Sequence, residues 1–269
     1  MRAANSALRV LGLAAAALLL GPALALGQHV WIEEPPPPEQ EGWTAVIDLP
    51  VSSKYLWRGA TWVDRPVFQP SLFGTKGELT VGLWANITLD NAVVDGTPVS
   101  AGTTTEVDLC LDYALTLWGV DCSVGAAHYV YLKPDLPSTR EVYLEARLPG
   151  RLSPSVTVWR DVVEVEGTYV AVSVAPEIRA GPLSRLVAGP ISTSASVGFG
   201  SSEHNAYYYG VDKAGLADLT VTANLPLSAS EYQRATLSLG YSVLLDGELR
   251  EAVGTEGEFW YGLSFMAAF

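Results

Sequence analysis

Residues 77–89 read GELTVGLWANITL, and their side chains alternate between an apolar set and a mixed, mostly polar set. One face would carry Leu79, Val81, Leu83, Ala85, Ile87 and Leu89, and the other Glu78, Thr80, Gly82, Trp84, Asn86 and Thr88. A period of two is the period of a β-strand. Strands of soluble proteins usually have about five or six residues, whereas a tilted strand needs ~9–11 residues to cross a bilayer. The stretch therefore predicts a membrane-crossing strand.

The same alternation recurs from Trp43 to the last residue. The runs span residues 43–57, 62–73, 77–89, 104–117, 120–132, 139–148, 152–161, 167–176, 191–200, 215–225, 233–244 and 258–269. A soluble β-sandwich could hide the 49% hydrophobic residues in a core, but the length of the runs favours a membrane. We predict an all-β fold: a transmembrane, antiparallel, up-and-down β-barrel of about 12 strands.

The connections between the runs alternate between short and long. GTKG, WGV and PGR are tight, whereas residues 90–103, 201–214 and 245–257 are long and polar. Outer-membrane barrels have short periplasmic turns and longer outer loops, so the alternation predicts both termini on the periplasmic side. Residues 177–190 break the rule, because they should be periplasmic and are long.

The chain begins like a secreted protein, with basic residues, the apolar run 10–20 and the small-x-small sequence at residues 23–25. This pattern predicts a signal peptide over residues 1–25, with an uncleaved anchor as the less favoured alternative. Residues 26–42 contain four consecutive prolines and predict a stiff periplasmic leader, with a docking peptide for a periplasmic partner as the less favoured alternative. The barrel would occupy residues 43–269, in the bacterial outer membrane.

Charge and composition exclude several classes of function. The signal peptide carries two of the 16 basic residues and none of the 29 acidic ones, so the mature charge would be 14 − 29, or −15. Such an acidic chain should not bind nucleic acid. Two cysteines and three histidines argue against a disulfide scaffold and a His-rich metal site. We expect no cofactor and no enzymatic activity.

The polar face of the runs would line the lumen of the barrel. The predicted pore-lining residues are Glu106, Asp108, Asp112, Asp121, Glu141, Glu145, Arg147 and Asp218, with Asp161 on the same face and Arg58 near the first outer loop. An acidic wall in a narrow barrel favours cations. The alternative is that Arg147 pairs with Glu145 or a cross-strand acid and blocks the lumen. Cys110 shares the lumen face and Cys122 the lipid face, so we expect both thiols to be free.

Two other sites are weaker hypotheses. His204 lies in a loop with Ser201, Ser202 and Glu203, and His128 lies on the apolar face of its run; both are more typical of structural positions than of a catalytic base. Asp90, Asp95 and Glu106 could contribute to a Ca²⁺ site, but their spacing matches no calcium-binding motif, and solvated loop residues are the better interpretation.

Residues 52–70, SSKYLWRGATWVDRPVFQP, and residues 78–87, ELTVGLWANI, resemble the opening of the TorF family of porins. The matching motif residues are Tyr55, Arg58, Gly59, Asp64, Pro66, Gln69, Gly82, Trp84 and Asn86. The sequence departs from the family at Trp57, Trp62 and Cys110. The resemblance implies an outer-membrane barrel with a pore.

The end of the chain is similar to the assembly signal of outer-membrane barrels. A terminal Phe269 follows apolar residues at alternate positions, namely Tyr261, Leu263, Phe265 and Ala267. This similarity implies that the barrel assembly machinery is a partner, together with outer-membrane lipid; it does not specify an oligomeric state. The function predicted is a porin-like passive channel for small polar or cationic solutes. A closed structural or adhesion barrel that acts through its outer loops is the alternative.

Overall fold

The computed structural model describes residues 42–269, and these form a closed antiparallel barrel of 12 wall strands. The predicted signal peptide, and all of the predicted leader except Gly42, lie outside the described residues. Within the part described, no helix is both long enough and apolar enough to span a membrane.

Ten of the wall strands are continuous, and the first two are each split in two. The first consists of β1 (Thr44–Asp48) and β2 (Val51–Ser52), and the second of β5 (Val67–Phe68) and β6 (Ser71–Lys76). The others are β7 (Leu79–Thr88), β10 (Thr104–Leu117), β11 (Val120–Tyr131), β12 (Thr139–Arg147), β13 (Ser155–Asp161), β14 (Thr168–Val174), β16 (Ile191–Gly200), β17 (Gly215–Ala229), β18 (Gln233–Leu244) and β19 (Glu258–Ala268).

The predicted division into two faces is confirmed in the wall. On β7, Val81 and Leu83 are 39% and 44% exposed, whereas Thr80 and Trp84 are buried inside the barrel. On β19, Tyr261 is 57% exposed on the outer surface and Trp260 is buried. The apolar face is therefore turned outward, toward lipid, and the polar face inward, which is the reverse of a soluble protein.

The barrel closes between its first and last strands. β1 pairs with β19, with Val46 opposite Ala268. Beyond the last strand residue, the Phe269 N–H donates to the Ala45 carbonyl at 2.8 Å, and the Ala45 N–H donates to the Phe269 carbonyl at 3.2 Å. These bonds leave the two terminal strands without an open edge.

The prediction of continuous runs over 43–57 and 62–73 is wrong in one respect. The chain leaves the wall after Ser52 and returns at Val67, and between them β3 (Tyr55–Trp57) and β4 (Ala60–Val63) form a separate hairpin. All three residues of β3 are buried. A segment that is covered on both sides cannot also be part of a wall with one side toward lipid.

The connections at the periplasmic end are short, apart from the one that the sequence left unexplained. Residues 175–190 contain β15 (Glu177–Ile178), which pairs with β16, and a 3-10 helix (Gly181–Arg185). The Ala188 N–H then donates to the Pro226 carbonyl at 2.6 Å. The long connection is therefore held against the periplasmic end of the barrel wall by its hydrogen bonds.

The outer connections carry the remaining elements. β8 (Ala92–Val94) and β9 (Thr97–Val99) form a hairpin in the second outer loop. The fifth contains helix α1 (Ser202–Tyr209) and the sixth contains helix α2 (Gly247–Val253).

Both cysteines are free, as predicted. Cys110 is buried on the inner face of β10, and Cys122 lies on the outer face of β11, where it is opposite Leu115.

Candidate functional site in the barrel lumen

The acidic residues predicted to line the lumen lie inside the barrel. Asp121 and Arg147 are partly exposed near the periplasmic end. The fully buried ones are Glu106, Asp108, Asp112, Glu141, Glu145, Asp161 and Asp218. These side chains therefore share the inner face of the wall.

Tyrosine hydroxyl groups donate hydrogen bonds to two of these acids. The Tyr143 hydroxyl donates to Asp112 at 2.7 Å, and the Tyr169 hydroxyl donates to Asp218 at 2.6 Å. Arg147 pairs with Glu145 at 2.9 Å, as the alternative hypothesis predicted. The arginine supplies a positive charge beside Glu145, which the phenols do not supply beside Asp112 and Asp218.

Arg58 lies buried inside the outer half of the lumen. It lies between β3 and β4 with a φ of 45°, and its guanidinium binds both carboxylate oxygens of Glu141 at 2.8 and 2.7 Å. Tyr129 donates a further hydrogen bond to Glu141 at 2.9 Å. The Arg58 and Glu141 side chains are only 6% and 2% exposed. This pair ties the first outer loop to strand β12.

Aromatic rings surround the Arg58 guanidinium. It lies 4.3 Å from the centre of Tyr169, 4.6 Å from Trp57 and 5.3 Å from Trp159. Burial opposes the charge of Arg58, but the Glu141 carboxylate outweighs burial and raises the pKa of the guanidinium above its usual range. Arg58 therefore remains charged, and cation–π contacts add to the ion pair.

Helix α1, in the connection between β16 and β17, contacts the hairpin in the outer half of the lumen. Ser201 caps its N-terminus by accepting a hydrogen bond from the His204 N–H. At its other end, the Tyr209 hydroxyl donates to the Arg58 carbonyl at 2.7 Å. We call residues 53–66 and α1 together the outer plug.

His204 links α1 to Arg58. Its Nδ1 lies 3.1 Å from Asn205 Oδ1, and its Nε2 lies 3.2 Å from Arg58 Nη1. Because the guanidinium can only donate, Nε2 accepts and the proton resides on Nδ1. Burial and the charge of Arg58 lower the pKa of His204 to about 3, so the ring is neutral at physiological pH.

The residues of the family motif meet at the base of the first outer loop. Tyr55 packs on Trp84 with ring centres 5.6 Å apart, and Gln69 donates to Asn86 at 3.1 Å. Asp64 pairs with Lys54 at 3.0 Å, and the Pro66 carbonyl accepts from the Leu89 N–H. Two motif glycines are packed tightly: a Cβ on Gly59 would lie 2.5 Å from the Asp218 Cβ, and one on Gly82 would overlap Cys110 and Phe73.

Sequence reasoning missed most of the residues around Arg58. The sequence favours a structural position for His204 but does not indicate its contact with Arg58. It also does not indicate that Tyr129, Trp159, Tyr169 and Tyr209 surround Arg58. The Arg-Gly pair at residues 58–59 is a signal in the sequence, because a glycine often marks a sharp turn. In the structure Gly59 has a φ of 84°. The partners come from distant strands and loops, and no local pattern relates them.

The residues of the suggested Ca²⁺ site lie in different environments. Asp90 and Asp95 are exposed in the second outer loop, whereas Glu106 is buried in the lumen. Among residues 42–269, no group of three His, Cys, Asp or Glu side chains could hold a metal ion. His128 faces outward on β11, as expected from its run.

Neither a family model nor a curated protein matches the chain. Among solved structures, the KdgM porin is similar at 8% sequence identity, covering 83% of this chain and 99% of that chain with a TM-score of 0.51. A KdgM porin in complex with disordered oligogalacturonate is similar at 6% identity, covering 84% and 99%, with a TM-score of 0.50. The resemblance to the TorF family is therefore not confirmed, and what the likeness shows is the fold: this chain is a closed antiparallel β-barrel of the kind seen in the KdgM porin.

Proposed function

We propose that the chain is an outer-membrane channel for small polar solutes, that it prefers cations, and that the outer plug closes it at rest. The observation that carries the proposal is the excess of acidic side chains on the inner face of the wall. Passive transport by such a barrel requires only a polar path, which the inward-facing residues supply.

The acids of the lumen are only partly neutralised. Arg58 pairs with Glu141 and Arg147 with Glu145. Arg234 is a further base on the inner face, opposite Met266. Against these stand Glu106, Asp108, Asp112, Asp161 and Asp218, which face the same lumen. Where these carboxyl groups are ionised, the low-dielectric walls make them attract cations and repel anions.

The periplasmic half of the lumen differs from the outer half. Hydroxyl and amide side chains line it, among them Ser192, Asn224 and Thr236, and a cavity of about 120 Å³ lies beside them. The outer half is occupied by the buried Arg58 and its aromatic neighbours. The step that opens the path is therefore displacement of the outer plug, and the Arg58–Glu141 pair is the contact that opposes it.

Single-channel recording on the refolded full chain tests the proposal. Breaking a buried ion pair costs about 3–5 kcal/mol, so we expect Arg58→Gln to raise the fraction of time spent open at least tenfold over wild type. Arg65→Gln is the matched control, because Arg65 lies in the same loop but is exposed, and its ion pair with Asp64 is 3.9 Å long. Under a salt gradient, the reversal potential should indicate cation selectivity, and higher salt should weaken it.

A closed structural or adhesion barrel is the second candidate, and the burial of the Arg58–Glu141 pair favours it. Conductance measurements distinguish the two candidate functions. If neither wild type nor Arg58→Gln conducts, the channel proposal fails and the closed barrel stands. If the protein conducts but selects anions, the acidic-lumen argument fails.

A further inference from the structure

The outer surface of the wall carries charge at very few positions. In the described wall strands, the charged side chains that face outward are Lys76, Arg140 and Arg160, and all three are basic. The chain as a whole has 29 acidic residues and only 16 basic ones. The lipid-facing surface therefore has the opposite sign of charge from the rest of the molecule.

Arg140 and Arg160 lie next to each other on adjacent strands. On β13, Arg160 is opposite Val142 of β12, so Arg140 is its diagonal neighbour on the outer face. Diagonal neighbours lie about 7–8 Å apart, within reach of long side chains. On the other side of Arg140, His128 of β11 is directly opposite. We call Arg140 and Arg160 the cationic patch.

The hydrogen bonds recorded around the patch are made with neutral groups. His128 donates from Nδ1 to the Thr139 carbonyl at 3.0 Å, since a carbonyl can only accept. Arg160 donates to the Thr168 hydroxyl at 3.1 Å. Within the described part of the chain, no carboxylate forms an ion pair with Arg140 or Arg160. The charge of Arg160 does lower the pKa of the exposed Glu203, but it contributes less than a backbone hydrogen bond and the Ser201 hydroxyl do.

The position of the patch along the barrel axis matches a lipid headgroup. Arg140 is the second residue of β12, directly after the third outer loop, and the exposed apolar residues Val142, Leu144 and Leu148 follow it on the same face. With a strand rise of about 3.3 Å and a tilt of ~40°, residues 140–148 span roughly 20 Å along the membrane normal. The patch thus lies at the outer boundary of the apolar band.

We propose that Arg140 and Arg160 bind the phosphate group of a lipid in the outer leaflet, whose acyl chains lie along Val142 and Leu144. Two guanidinium groups offer the planar pairs of donors that suit a phosphate. A soluble anion would not explain why the patch adjoins lipid-facing apolar residues. The inference does not depend on whether the barrel conducts.

The rival explanation is that the arginines merely extend toward the water interface without a specific partner. The two explanations differ in whether the phosphate matters. The probes are therefore a hexa-acylated diglucosamine lipid with two phosphates and the same lipid after removal of both phosphates. Native mass spectrometry of the refolded full chain in detergent measures how much of each lipid remains bound.

We expect wild type to bind the phosphorylated lipid about tenfold more tightly than the dephosphorylated one, equivalent to ~1.4 kcal/mol. The double variant Arg140→Gln/Arg160→Gln should lose this preference. The matched control is Lys76→Gln/Arg151→Gln, which removes the same charge at the periplasmic end of the barrel and should retain it.

Equal binding of the two lipids by wild type would overturn the proposal, and this comparison does not depend on whether any variant folds. Loss of preference in the control double variant would also overturn it, since a general charge effect would then suffice. Inorganic phosphate at the same phosphate concentration should not displace the lipid. Displacement would mean that the patch binds free phosphate rather than a lipid.

Discussion

Arg58 and His204 show how single side chains hold the outer plug together. The neutral ring of His204 accepts a hydrogen bond from Arg58, and it donates through Nδ1 to Asn205. A proton on Nε2 would replace an acceptor with a second positive charge against the guanidinium. The contact therefore requires the neutral form of His204.

Acidification should loosen the plug through His204. Its pKa is about 3 in the folded protein, against an ordinary value of 6.5. The stability contributed by the neutral ring is complete above pH 6.5, falls as the pH drops toward 3, and levels off below that value. We expect the open fraction of wild type to rise between pH 6.5 and 4 in single-channel recordings.

His204→Gln isolates this effect from the titration of lumen carboxylates, because it keeps a polar side chain that does not titrate. The rise should be clearly smaller in this variant than in wild type. An identical pH profile for the two proteins would show that His204 does not govern the stability of the plug.

Gly59 is a position where the hairpin approaches the wall closely. A Cβ there would lie 2.5 Å from the Asp218 Cβ and 2.9 Å from Leu244 Cδ2, and the φ of 84° is itself unfavourable for alanine. We expect Gly59→Ala to displace the hairpin and increase the open fraction, while the barrel still folds.

Gly102→Ala provides the control for the backbone contribution alone. Gly102 has nearly the same φ, 82°, but nothing lies within 4 Å of its added Cβ. This variant should incur only the strain of the left-handed conformation, about 1–2 kcal/mol, and conduct like wild type. Equal behaviour of the two variants would mean that the close approach at Gly59 has no influence on the plug.

At the scale of elements, the sequence predicted the wall well and the plug poorly. A strand that faces lipid on one side and the lumen on the other alternates between apolar and mostly polar residues, as β7 does. The hairpin of β3 and β4 is buried on both sides, so Tyr55, Leu56 and Trp57 show no alternation. Nor could the sequence reveal that Arg58 reaches Glu141, because that contact depends on how the whole barrel curves.

The last strand offers a test of assembly. Phe269 exchanges two backbone hydrogen bonds with Ala45 across the closing seam, and its side chain is 68% exposed toward lipid. We expect deletion of Phe269 to reduce the amount of folded barrel in outer membranes several-fold, and Phe269→Ala to reduce it less. Immunoblots of unheated membrane samples provide the measurement.

Phe259→Ala is the control at the opposite end of the same strand, where the ring is also outward and 58% exposed. If loss of apolar area toward lipid were the only effect, it should reduce folded protein as much as Phe269→Ala does. Wild-type levels after deletion of Phe269 would argue against a role of the terminal residue in assembly.

At the scale of the whole molecule, the closed hydrogen-bonded wall should resist detergent. Every wall strand has a neighbour on both sides, so unfolding must break the ring as a unit. We expect the protein to fractionate with outer membranes and to migrate differently on gels before and after boiling. A single band at the unfolded position without heating, or recovery in a soluble fraction, would contradict the barrel.

The contacts of Arg58 also bear on the order of events during biogenesis. Arg58 binds Glu141, 83 residues later in the chain, and its carbonyl is bound by Tyr209, 151 residues later, whereas most neighbouring wall strands are joined by short connections. Contacts between distant residues form late, because a long chain segment must first be closed. We therefore expect each newly inserted molecule to be leaky for a short interval before its plug docks. Insertion currents that begin high and then decay would reveal this interval, and currents that are low from the first millisecond would refute it. The permeability of the envelope would then depend on how fast new copies arrive, as well as on how many finished ones it holds.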